Sequence, residues 1–123
     1  MRYDAMVAPD PRAWLEVGEG ERVEQVLRYH EHLALRGASL RVHAVIHVTV
    51  ETQLAESHSG AVRAMERLLE GGLDRHDAIH AIGGAVADQI YSVLKGKPFD
   101  EAAYLAALDA LSAKAWRDSG DRE

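Results

Sequence analysis

Apolar residues recur along this chain at intervals of three and four, the spacing of one face of a helix, and short polar or glycine-containing breaks separate the periodic stretches. The first stretch runs from about Glu21 to Arg36, with Val23, Val26, Leu27, His30 and Leu33 on one stripe and Gly37 placed to end it. A second is expected from about Leu40 to Ser57, with Ser39 as its N-cap. Val42, Val45, Ile46, Val48 and Val50 give it the composition of a strand. The polar positions 43, 47 and 51 nevertheless follow a helical repeat, and about eighteen residues without a turn is long for a strand, so the segment reads as a buried helix. Ser59 and Gly60 open a third helix, Ala61 to Glu70, with Val62, Met65, Leu68 and Leu69 as its stripe and Gly71-Gly72 as its stop. Asp74 caps a fourth that runs to about Lys95. Gly83-Gly84 falls inside it and points first to close helix packing, since glycine there costs about 1 kcal/mol each relative to alanine. Gly96-Lys97-Pro98 ends the fourth helix. A fifth begins at Phe99 or Asp100, with Ala103, Leu105, Leu108 and Leu111 facing the core.

Residues 1–18 read as an irregular lead-in in which Ala13-Trp14-Leu15 can make one helical turn over the core, and residues 118–123 as a frayed tail. The expectation is one all-α domain over residues 1–123, a four- to five-helix bundle with short loops. At 123 residues and 47% apolar content the chain can build one hydrophobic core without a covalent staple.

Absence of cysteine removes disulfides, thiolate metal sites, iron–sulfur clusters and cysteine nucleophiles, and fits a cytoplasmic location. Residues 1–10 lack the apolar core of a signal peptide, and no apolar run is long enough for a membrane span. A net charge of −6 disfavours nucleic acid as a partner and is compatible with a cation. Serines lack the context of a nucleophile elbow, and no phosphate-binding glycine loop occurs.

Histidine placement changes the picture. His43-Ala-Val-Ile-His47 and His76-Asp-Ala-Ile-His80 share the i, i+4 spacing, which puts both imidazoles of a pair on one helix face, one turn apart. Seven histidines scattered at random would give well under one such pair. Glu51 lies at i+8 from His43 and Asp88 at i+8 from His80, each along a similar face. His43, His47, Glu51, His76, His80 and Asp88 are therefore the candidate metal ligands, with Asp88 either a ligand or a partner that orients an imidazole. Imidazole with carboxylate suits a divalent transition metal, zinc before iron, nickel or manganese. An open coordination position would allow metal-assisted hydrolysis, but the spacing alone does not say that the protein is an enzyme. The competing expectation is an interaction or dimerisation module with a hydrogen-bonded His/Glu layer and no metal, in which Tyr104, Leu108 and Trp116 offer a contact surface for a homodimer. Near the first helix end, Tyr29-His30-Glu31-His32 is a lesser cluster from which His30 could join the site; His58 and the face of Glu66, Arg67 and Glu70 read as ordinary surface. His76-Asp77-x-x-His80 is one methylene short of the metalloprotease His-Glu-x-x-His pattern and lacks its downstream ligand.

The run His43-Ala-Val-Ile-His47-Val-Thr-Val-Glu51-Thr-Gln53-Leu54, with Val62-Arg63-Ala-Met-Glu66-Arg67-Leu68 and Asp74-Arg75-His76-Asp77-Ala78-Ile79-His80-Ala81-Ile82-Gly83, resembles a family of small bacterial proteins known as a domain of unknown function. The resemblance covers under half of the chain, and Phe99-Asp100-x-x-x-Tyr104-Leu105 extends it. It implies a shared site at His43, His47, Glu51, His76 and His80. Family members often carry glutamate at the place of Asp88, and some carry glutamate where this chain has Gly84, so the resemblance does not extend here to a second metal. It implies no reaction.

Overall fold

The computed structural model describes the backbone of residues 2–31 and 38–119 and the side chains of residues 2–29 and 40–119. Among the described residues there are seven helices and no strand: α1 (Pro11–Glu16), α2 (Glu19–Glu31), α3 (Ala38–Ala55), α4 (Ser59–Glu70), α5 (Arg75–Leu94), α6 (Glu101–Ala110) and α7 (Ala113–Ser119). No helix among them is long and apolar enough to cross a membrane. The all-α expectation holds, with two short helices beyond those read from the pattern. Arg36, Gly37, His32 and the side chain of His30 lie outside the described residues.

α3 is helical despite its valines because its burial follows 3.6 residues, not two. Ala44, His47, Val48 and Glu51 are buried along one stripe, whereas Val42 and Val45 are exposed. It is thus a helix with one open face, not the fully buried one expected. It packs on α1, α2, α4 and α5, which makes it the element through which the N-terminal half meets the C-terminal half.

The two short helices, the first of which covers the turn expected at Ala13-Trp14-Leu15, are too short to stand on intrinsic propensity. Tertiary hydrogen bonds hold the first in place. Asp10 accepts from the Ala13 amide, Pro11 occupies the first turn, and Arg22 of α2 donates from Nε and Nη2 to the carbonyls of Trp14, Val17 and Leu15. Trp14 then seats fully buried with its indole N–H donating to Thr52 Oγ1 at 3.1 Å. At the other end Leu111 breaks out of α6, and α7 restarts two residues later to bury Ala113 and Trp116. Arg67, expected on a solvated face, instead donates to the carbonyls of Leu111 and Leu108 and so caps α6 from α4. His58 is likewise not idle surface: its Nδ1 accepts from the Ala61 amide as the N-cap of α4. Asp74 and Asp100 cap α5 and α6 through the Asp77 and Ala103 amides.

Leu68, Ile79, Ile82, Leu108, Val26 and Val50 form the fully buried centre. Tyr104 and Leu108 are inside with them and Trp116 is nearly so, so these three do not make the contact surface expected for a dimer. Exposed apolar area is found instead at Tyr91, Leu94 and Phe99. α3 and α5 meet closely at the glycine pair. A Cβ on Gly83 would lie 2.8 Å from Ile46 Cγ2, whereas one on Gly84 would meet nothing within 4 Å.

The two glycines should therefore respond in opposite directions. Gly84→Ala removes a helix-interior glycine at no steric cost and should stabilise the protein by about 0.5–1 kcal/mol. Gly83→Ala gains the same propensity but forces the Ile46 side chain to shift, so overpacking of about 1–3 kcal/mol should leave it neutral or destabilised. Urea denaturation of both variants decides it; equal stabilisation would contradict the close approach.

Candidate metal centre

α3 delivers His43 and His47, and α5 delivers His76 and His80, to a common point. One ligand nitrogen from each of the four residues lies within 4.8 Å of every other. His47 Nε2 and His80 Nε2 are 2.8 Å apart. Ring centroids are separated by 4.5 Å for His43–His80, 4.9 Å for His43–His47, 5.1 Å for His47–His76 and 4.6 Å for His76–His80. His47 is buried at 1% exposure, whereas His43, His76 and His80 are half-buried. The group therefore has a closed floor and a side nearer solvent. Nitrogens bound at 2.0–2.1 Å to a tetrahedral ion stand about 3.3 Å apart. The cluster's dimensions fit such an ion with small movements of the rings.

No carboxylate belongs to this group among the described residues. Glu51 is near but committed. It is 2% exposed and takes two hydrogen bonds from Arg75, Nη1 to Oε2 and Nη2 to Oε1, both at 2.7 Å. Arg75 directly precedes His76, so the carboxylate of α3 meets the histidine segment of α5, with the guanidinium between them. Asp88 is on the same helix as His80 but exposed, and eight residues of helix carry it roughly 12 Å along the axis. Matching azimuth is not enough for a shared ion; the rise separates them.

Tyr3 completes the arrangement, and nothing in its sequence neighbourhood marks it. Its hydroxyl donates to Glu51 Oε2 at 2.6 Å and lies 3.2 Å from His47 Nδ1. A phenol has one proton. Since Glu51 receives it, His47 must donate its Nδ1–H to the phenol oxygen. The chain Arg75–Glu51–Tyr3–His47 thus sets the imidazole tautomer and leaves the His47 Nε2 lone pair facing the other histidines. Arg75 Nη1 also donates to the Ala5 carbonyl and so ties the lead-in segment to α5. Tyr29 of α2 closes the side of the cluster, edge-on to both Tyr3 and His76 at 5.5 Å.

Electrostatics follow from this burial. Burial first, then the charge and hydrogen bond of Glu51, push the Tyr3 hydroxyl well above its ordinary value near 10, so it stays a phenol. Burial would lower Arg75, but the hydrogen bonds and charge of Glu51 outweigh it and leave the guanidinium raised. Glu51 was visible in the sequence as an acid in register with the histidines; its partner Arg75 could have been sought because a buried carboxylate needs one.

Two outcomes follow from the chain of hydrogen bonds. Glu51→Gln strands Arg75, whose side chain is only 13% exposed, and should cost about 3–5 kcal/mol of unfolding free energy in urea. A cost below about 1 kcal/mol would show that the pair is not buried as described. The raised Tyr3 group has its stabilising protonated form below pH 10 and loses it as pH climbs through the folded value. Stability should therefore fall above about pH 10, and Tyr3→Phe should flatten that fall. The chain matches no protein-family model, no curated protein and no solved structure.

Proposed function

We propose that this is a metal-binding helical protein whose ion is held by His43, His47, His76 and His80. The observation that carries the reading is the convergence of four imidazole nitrogens from two helices within 4.8 Å. Imidazoles on apolar helix faces need a partner for every polar atom, and one shared ion serves four at once. An all-nitrogen set with no thiolate suits zinc, with nickel the next choice; iron and manganese, which favour a carboxylate in the set, fit less well because Glu51 is held by Arg75. Glu51, Tyr3 and Arg75 act on the ion through His47 by fixing its tautomer. No carboxylate belongs to the group among the described residues and the nearby Glu51 is committed to Arg75, so binding is better supported than hydrolysis. The resemblance to the bacterial family belongs to this proposal, as a shared site without a shared reaction.

One observation favours a second reading. The 2.8 Å contact of His47 Nε2 with His80 Nε2 is a good hydrogen bond as it stands, so the cluster could serve as a polar layer with no ion. Elemental analysis of protein prepared without a histidine tag separates the two. The metal reading expects one divalent ion per chain, lost on chelation. Zinc at a hundredfold over its dissociation constant should add about 2.7 kcal/mol of stability, and His47→Ala or His80→Ala should abolish stoichiometric binding. Metal-free protein indifferent to both zinc and chelator would leave the hydrogen-bonded layer.

A further inference from the structure

Trp116 carries a buried donor that the fold does not use. The residue is 9% exposed and its indole nitrogen is buried without a hydrogen-bond partner among the described residues. Such a group is costly if left unsatisfied. The other indole shows the usual solution, Trp14 donating to Thr52. Trp116 instead lies edge-on to His80, with ring centroids 6.5 Å apart and planes at 84°. The unsatisfied donor therefore belongs to a side chain that stands against one of the four imidazoles.

Charge supplies the second half of the reasoning. Four neutral imidazoles contribute nothing to balance a divalent ion, and the nearest buried carboxylate, Glu51, is already neutralised by Arg75. An ion at this centre would keep its full double charge in a half-buried setting, where Coulombic attraction for an anion is several times stronger than in water. His43, His76 and His80 are half-buried as residues, although the Nε2 atoms of His43 and His76 are themselves buried, and a zinc ion can expand to five ligands.

We infer that the centre takes a small oxyanion, one oxygen on the ion and another accepting the indole N–H of Trp116. This rests on the metal-binding reading and adds to it a ligand class and a residue that recognises it. α7, a helix unannounced by the periodicity, then has a role: it carries the anion's hydrogen-bond donor to the His80 side of the cluster.

Zinc-loaded, nitrogen-15-labelled protein titrated with acetate tests it, because each tryptophan gives one indole N–H signal. Acetate should move the Trp116 signal downfield, leave that of Trp14 in place, and move neither in chelator-treated protein. Trp116→Phe should retain zinc and bind acetate about tenfold more weakly or worse, the worth of one hydrogen bond to a charged group. A zinc-loaded wild type whose Trp116 signal ignores acetate overturns the inference and leaves the metal reading intact, as does a Trp116→Phe variant with unchanged acetate affinity. Failure to bind zinc overturns both. The wild-type titration stands alone if the variant does not fold.

Discussion

The buried ion pair between Glu51 and Arg75 is the constraint on which the rest of this molecule depends. Two charges have been taken out of water, and only the bidentate geometry together with the hydrogen bonds from Tyr3 and to Ala5 offsets that cost. Meeting those requirements fixes α3 against α5, draws the lead-in segment onto both, and sets Tyr3 where it must be to hold His47. An apolar pair of similar volume could have joined the helices as firmly. It could not have transmitted an orientation to an imidazole one turn away.

That orientation is what turns four histidines into a candidate centre. The Tyr3 oxygen accepts a hydrogen bond from the Nδ1–H of His47, so the Nε2 lone pair points inward, and the floor of the cluster is set before anything binds. The other three imidazoles are less enclosed, and Trp116 beside His80 adds a donor with no partner of its own. A rigid interior ligand and a more accessible rim is the division that lets a site bind and still exchange.

Much of the layout was legible in the sequence because it depends on period and on caps. Positions 43, 47 and 51 betray α3 as a helix through a run of valines, and Asp74 and Asp100 stand where cap residues must. The two i, i+4 pairs, His43/His47 and His76/His80, could be read from spacing; how the two helices are set against each other, which brings the pairs together, could not. What escaped has a common physical character: it is decided by contacts between segments remote in sequence. α1 and α7 are too short to show a period and exist because Arg22 and the packing of Trp116 hold them. Tyr3 lies in a stretch with no pattern at all. Asp88 shares an azimuth with His80 but not a height, and a helical wheel shows only the first.

His47 and His80 touch across 33 residues of chain, with the whole of α4 between them. Their meeting therefore depends on closing a loop that contains a complete helix. A pair on one helix can form as soon as that helix does, but the four-membered group requires α4 to have turned the chain back and α5 to have settled at Gly83 against Ile46. Closing such a loop must be repaid by the core that α3, α4 and α5 build together, not by the imidazoles. The centre is in that sense assembled by the packing of three helices and not by either histidine pair alone.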